Sequence, residues 1–167
     1  MHIRPAAATD VPALTDLYNH YVVHTPVTFD IAPVSPENRR AWFQAHPETG
    51  RHRLLVAEDG DGGLLGYASS SPFKDRQAYE TSVETSVYLA PGRTGRGIGA
   101  VLYGALFDVL AGEDVHRAYA GITQPNAASM RLHERFGFRP AGLLQQVGRK
   151  FDQYWDVAML EKRFGER

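Results

Sequence analysis

The sequence predicts an α+β chain: a mixed, twisted sheet of about six or seven strands flanked by helices. Three observations carry that expectation. Apolar and polar residues alternate with a period of two over residues 83–89, and a glycine-rich turn then leads into an apolar stripe of helical spacing. Strand-like runs follow each other directly at 53–58 and 64–70, and again at 138–146 and 154–160. Elsewhere strands alternate with helices, so a purely parallel sheet is not expected.

Residues 2–4 read as a first short strand. Asp10 suits the cap of a helix over 10–24, with Pro12 in its first turn. Ser35 and Pro36 open a second helix that carries Trp42 and Phe43, and Pro47 and Gly50 end it. Asp59-Gly60-Asp61-Gly62-Gly63 joins the next two strands as a hairpin. After the strand over 83–89 come Gly95, Gly97 and Gly99, then a helix striped by Ile98, Val101, Leu102, Ala105, Leu106, Val109 and Leu110. Residues 115–123 form another strand. A short helix over 126–136 is closed by Gly137, and the two final strands follow. No linker, repeat or low-complexity segment interrupts the chain, so a single domain over 1–167 is expected.

The chain has 167 residues, 43% of them hydrophobic, which is enough to bury a real core. A net charge of −1 argues against a general electrostatic grip on nucleic acid or anionic lipid. The absence of cysteine excludes disulfides, thiolate metal sites and a cysteine nucleophile, and it fits the cytoplasm. The first ten residues carry no apolar leader and no run reaches membrane-spanning length, so a cytoplasmic, membrane-free protein is expected. His20 and His24 have the i, i+4 spacing of a metal pair. They lack the zincin carboxylate, so no metal is expected.

Three glycines at a helix start let backbone N–H groups approach a ligand, and the helix terminus adds partial positive charge. The turn therefore suits a pyrophosphate. A Walker A loop needs Gly-Lys-Ser/Thr, whereas Gly99 precedes Ala100 and Val101. Gly95, Gly97 and Ala100 satisfy the loose dinucleotide pattern, but the strand over 116–122 ends without the acid that pattern requires. Glu84 lies upstream on the same strand, near enough to act as a base beside the anion. An anion cradle with a strand carboxylate suggests an enzyme using a diphosphate-bearing cofactor.

The order of motifs narrows this. Thr94-Gly95-Arg96-Gly97-Ile98-Gly99, preceded by SVYLAP and followed by AVLYGALFD, resembles the acetyl-CoA loop of the GNAT acetyltransferases. Thr94 stands where that family usually has Gln or Arg. Residues 126–138, an Asn-x-x-Ser helix ending in Gly-Phe, are similar to the family's second signature. Four further motifs are similar to the phosphinothricin and methionine sulfoximine N-acetyltransferase branch. They are Tyr18-Asn19-His20-Tyr21, Val27-Thr28-Phe29, Pro72-Phe73-Lys74-x-Arg76-x-x-Tyr79, and Val147-Gly148-x-Lys150-Phe151 with Trp155-Asp156. The resemblance spans essentially the whole chain.

The resemblance implies a GNAT fold in which the strand over 83–89 splays from its neighbour. Main-chain groups of Val87, Tyr88 and Leu89 would then pair with the pantetheine of acetyl-CoA, much as a strand adds to a sheet edge. The amides of Gly95, Gly97, Ile98 and Gly99, with Arg96 and the Thr94 hydroxyl, would hold the pyrophosphate. Asn126 and Ser129 would approach from the other side. Glu84 would be the general base that deprotonates an ammonium, a role helped by burial. His133 sits where many relatives carry a tyrosine that protonates the leaving thiolate, and Tyr103 is the alternative acid. Lys74, Arg76 and Tyr79 suit an α-carboxylate and a second polar group of the acceptor, with Phe29 and Trp155 as an apolar wall. The implied reaction is direct transfer of acetyl to the α-amine of a small amino acid-like acceptor, in a homodimer.

Other acceptors, such as a protein N-terminus or a polyamine, stay open, as does a non-catalytic acyl-CoA-binding module. Lys74 and Arg76 argue against a polyamine cleft, and Glu84 with His133 argues against an inert binder.

Overall fold

Each strand of the sheet takes its place from where its apolar residues can be buried. The computed structural model describes residues 1–165. Among them the strands are β1 (His2–Pro5), β2 (Leu54–Glu58), β3 (Leu64–Pro72), β4 (Ser82–Leu89), β5 (Arg117–Thr123), β6 (Arg139–Lys150) and β7 (Gln153–Arg163). The helices are α1 (Val11–His24), α2 (Pro36–Gln44), α3 (Ile98–Ala111) and α4 (Ala127–Arg135). The strands form one sheet in the order β1-β2-β3-β4-β5-β7-β6. β4 and β5 run parallel, and every other neighbouring pair is antiparallel.

β2 is buried on both faces, and its alternation divides the core in two. Leu55 and Ala57 join Leu102, Leu106 and Leu110 of α3, together with Ala118, Ala120 and Leu160. Leu54 and Val56 point the other way, to Leu14 and Leu17 of α1 and to Tyr67, with Trp42 of α2 packed alongside. β4 obeys the same alternation. Val83, Val87 and Leu89 face α3, and Tyr88 faces α1 and α2. Glu84 and Ser86 lie on the Tyr88 side of the strand, since side chains alternate.

The sequence expectations differ from the structure at two ends. Asp10 precedes α1, but its carboxylate makes no cap to that helix. It accepts from the Ala7 N–H at 2.7 Å and from both Arg4 Nη atoms at 2.7 and 2.9 Å, and these partners hold it below the usual carboxylate range. The last two strands are longer than periodicity indicates. They meet at a two-residue turn, Phe151-Asp152, with φ of 54° and 56°. Such turns normally announce themselves with Asn-Gly, and here neither residue is glycine.

The tip of that hairpin clamps the α1–α2 connection. Lys150, itself buried, donates from Nζ to the Thr28 carbonyl at 2.8 Å. The Phe29 ring lies against the Gly148 backbone so closely that an added Cβ would collide with it. Gly148→Ala is therefore expected to lower stability by about 1–3 kcal/mol, because the ring must leave its place. Thermal unfolding measures this, and an unchanged Tm would show that Phe29 has free space to move into.

Candidate active site

β4 pairs with β3 along its length, from Pro72↔Val83 to Gly66↔Leu89. Its pairing with β5 covers only residues 82–84. Beyond Glu84 the two strands part, and a cleft of about 370 Å³ opens between them. Its walls are residues 85–89 of β4, Ala120, Gly121, Ile122 and Thr123 of β5, the turn before α3, and α4.

The glycine turn forms one end. Gly95 and Gly97 have φ of 75° and 78°, the left-handed region that glycine enters without penalty. Gly97 caps α3 in that conformation. Among the described residues, the backbone N–H groups of 94–99 make no hydrogen bond, whereas Ala100 and Val101 already donate to Gly97. A row of free donors at a helix start is the arrangement that holds a pyrophosphate. Thr94, Gly95, Gly97 and Gly99 line the cleft, while Arg96 and Ile98 do not.

Glu84 sits at the other end, where the strands separate. Its Oε1 lies 3.9 Å from the position a Cβ would take on Gly121, a residue of the cleft wall, so the carboxylate stands beside the cleft's edge. Solvent reaches Glu84. The surrounding wall still desolvates it and pushes its carboxyl above the ordinary range, the direction a base for an ammonium needs.

A third group crosses behind the cleft. Thr85 Oγ1 lies 2.6 Å from the Tyr103 hydroxyl, and that hydroxyl lies 3.0 Å from His133 Nε2. His133 Nδ1 lies 2.8 Å from the Ser129 carbonyl. A carbonyl only accepts, so Nδ1 carries the proton and the neutral ring accepts from Tyr103 at Nε2. Burial lowers the His133 pKa and favours this neutral form. His133 lines the cleft, whereas Tyr103 is fully buried in the core and reaches the cleft only through His133 and Thr85.

His46 repeats this arrangement between α2 and β3. Its Nδ1 donates to the Trp42 carbonyl at 2.7 Å, Nε2 lies 3.0 Å from the Ser71 hydroxyl, and burial lowers its pKa. Both histidines are harder to protonate in the folded chain than in the unfolded one, whose value is 6.5. Their stability contribution is present above pH 6.5 and is lost as pH falls towards the folded values. The Tm should therefore drop on acidification below neutrality, with a shallower slope in His46→Gln and His133→Gln. Equal slopes in all three proteins would assign the acid sensitivity elsewhere.

The remaining candidates lie outside this cleft. Lys74, Arg76 and Tyr79 are exposed in the β3–β4 connection, where the Lys74 ammonium lies 5.2 Å from the Phe73 ring centre and 5.5 Å from that of Tyr79. Phe73 stacks at 4.2 Å on Tyr119, the residue registered with Glu84, so this loop stands at the Glu84 end of the site. Phe29 packs on Gly148, and the Trp155 indole N–H donates to the Lys150 carbonyl. The rings of His20 and His24 lie 4.9 Å apart. Among the described residues no group of three or more His, Asp or Glu gathers in a way that could hold a metal.

The acetyltransferase (GNAT) domain model matches residues 3–159. The chain belongs to the GNAT acetyltransferase family. It is 60% identical to a phosphinothricin N-acetyltransferase from Streptomyces coelicolor, over 97% of this chain and 95% of that protein. It is 36% identical to an L-methionine sulfoximine/L-methionine sulfone acetyltransferase from Pseudomonas paraeruginosa, over 95% of this chain and 92% of that one. A GNAT phosphinothricin acetyltransferase from Sinorhizobium meliloti, solved in complex with acetyl-CoA, superposes with a TM-score of 0.94 at 31% identity. That match covers 99% of this chain and 89% of the other. The seven-strand sheet flanked by four helices is the GNAT fold.

Two residues that touch β4 or lie beside it were given no individual role by the sequence. The Tyr21 hydroxyl donates to the Leu89 carbonyl at 2.7 Å and thereby occupies a main-chain group expected to be free. Arg39 of α2 is buried beside β4, although its helix reads as polar and exposed. Tyr21 belongs to a quoted motif and carried that signal, whereas nothing local to Arg39 announces its burial.

Proposed function

We propose that this chain, as a single catalytic domain, transfers acetyl from acetyl-CoA to the α-amine of a small amino acid of the phosphinothricin or methionine sulfoximine kind. The observation that carries the reading is the parting of β4 from β5, with free amide donors at one end and Glu84 at the other. The free N–H groups of 95–99 take the pyrophosphate. The pantetheine lies along β4, where Val87 and Tyr88 line the cleft and Leu89 is tied to Tyr21, and Asn126 and Ser129 flank it from α4.

Glu84 accepts a proton from the acceptor's ammonium. The freed amine attacks the thioester carbon and a C–N bond forms. As the C–S bond breaks, the nitrogen gives up its second proton and the thiolate takes one up, leaving the amide, the free thiol and one proton on Glu84. With no cysteine in the chain, transfer is direct. His133, on the cleft wall, is the candidate acid in its doubly protonated form, since the one proton of the neutral ring is held by the Ser129 carbonyl; Tyr103 holds that neutral tautomer between turnovers. Lys74, Arg76 and Tyr79 hold the α-carboxylate at the Glu84 end.

The working protein is a cytoplasmic homodimer. β6 is an edge strand exposed along most of its length, with Leu143, Leu144 and Val147 outward, and a second copy would cover them. Sedimentation at micromolar concentration tests this.

Thiol release from acetyl-CoA across free amino acids, including phosphinothricin and methionine sulfoximine, tests the activity. Release with those two supports the acceptor class. Release with none of them, in a protein that binds acetyl-CoA tightly, sinks it.

A further inference from the structure

A second cavity of about 240 Å³ lies on the α1–α2 face of the sheet. It shares Ser86 and Tyr88 with the acetyl-CoA cleft, so the two chambers meet across β4. Arg39 is part of its wall. The residue is 5% exposed, and its Nε and Nη2 atoms have no hydrogen-bond partner. The guanidinium lies 3.5 Å over the Trp42 ring, 4.7 Å from that of Tyr18 and 5.1 Å from that of Tyr67. Aromatic faces offset part of the cost of burying a cation, yet a buried guanidinium without a hydrogen-bonding anion stays expensive.

The rest of the wall offers donors. The hydroxyls of Ser69, Ser86 and Tyr88 make no hydrogen bond among the described residues. The one carboxylate present, Asp30, already accepts from the Tyr18 hydroxyl at 2.6 Å. Free donors around a forked cation fit a group with several oxygen acceptors and negative or strongly polar character.

Register sets the direction of the site. Ser71 pairs with Glu84, Ser69 with Ser86, and Tyr67 with Tyr88, all on one face. Lys74, Arg76 and Tyr79 stand before Glu84, and Arg39 lies beyond Ser86 at the level of Tyr67. A strand rises ~3.3 Å per residue, so Ser86 lies about 7 Å from Glu84, close to the span of an amino acid side chain.

We propose that the Arg39 cavity is the subsite for the oxygen-bearing head of the acceptor's side chain, a phosphinate, sulfoximine, sulfone or carboxylate. The inference rests on the acceptor class proposed above and adds the residue that reads it. The α-carboxylate stays at Lys74 and Arg76, the amine sits at Glu84, and the side chain runs past Ser86 to Arg39.

Two readouts test it. In Arg39→Met, kcat/KM for phosphinothricin is expected to fall on the order of 10- to 100-fold, as for loss of a charge-assisted hydrogen-bonded pair, with the acetyl-CoA Kd unchanged. The second readout needs no turnover. The chain has two tryptophans, so Trp155→Phe leaves Trp42 as the sole emitter, directly beneath the guanidinium. Titrating dimethylphosphinate into that protein should change Trp42 emission saturably, and the added Arg39→Met should abolish the change. A saturable response without acetylation of any amino acid would remove the proposed acceptor class and leave the anion subsite standing. Undiminished phosphinothricin turnover in Arg39→Met overturns the proposal. So does the lack of a saturable response with Arg39 present, or its persistence without Arg39. If Arg39→Met no longer binds acetyl-CoA, Arg39→Lys decides. A point charge in place of the fork should cost about tenfold in kcat/KM, and a full rate overturns the proposal.

Discussion

Glu84→Gln should lower kcat/KM for the amine acceptor by ~10²- to 10⁴-fold, the usual worth of a positioned general base. The substitution keeps the size of the side chain and its place against Gly121 while removing its ability to take a proton. Binding of acetyl-CoA should not change, because the cradle lies at the opposite end of the parted strands. The pH profile separates loss of a base from loss of shape. Desolvation raises the Glu84 carboxyl above 4.5, and only the ionised form accepts a proton. Wild-type kcat/KM should therefore fall as pH drops through that raised value, at a less acidic pH than an ordinary carboxylate would impose. The residual rate of Glu84→Gln should lack this limb and follow the acceptor amine's own ionisation. Wild-type rates with the limb intact in Glu84→Gln would move the base to another residue.

Replacing Gly95 and Gly97 together by alanine should weaken acetyl-CoA binding sharply. Both have positive φ, and a left-handed L-residue costs about 1–2 kcal/mol, so the pair costs about 2–4 kcal/mol. If the free loop relaxes away from that geometry, binding must restore it, and the Kd rises about 30- to 1,000-fold. Steric collision does not confuse the result, since a Cβ on either glycine meets nothing within 4 Å. Gly92 provides the control. It has φ of 75° and open space around its Cβ position, but it does not line the cleft. Gly92→Ala should carry similar backbone strain and leave the Kd unchanged. Calorimetric titration with acetyl-CoA measures all three proteins. An unchanged Kd in the double variant would mean that the ligand's phosphates do not depend on these amides.

Residues 83–110 show what a local pattern can reveal. Alternation placed Val83, Val87 and Leu89 on one face and Glu84, Ser86 and Tyr88 on the other, and the packing of β4 follows it. The glycines marked the turn because positive φ is a property of single residues, legible wherever they stand. Asn126 was legible for a similar reason: its side chain accepts from Ser129 N–H at 3.1 Å, a cap formed within one turn of chain. The motif resemblance added the order of these parts and the identity of the donor.

The sequence alone thus determined the family, the order of most elements, the glycine turn before α3 and the place of Glu84 on β4, all of which depend on neighbouring residues or on motif order. Tertiary structure decided the rest. The parting of β4 from β5 depends on register between strands whose registered residues, Ser82 and Arg117, are far apart in the chain. The Thr85–Tyr103–His133 chain joins groups 18 and 30 residues apart on a strand and two helices. Arg39 stands between Asn38 and Arg40 in a helix whose composition reads as solvent-facing, yet the aromatic rings of Trp42, Tyr18 and Tyr67 enclose it. Backbone preference and periodicity act over a few residues and so leave a local trace. Burial, shared hydrogen bonds and the line from Glu84 to Arg39 arise only when distant segments pack together, and no short window of sequence carries that information.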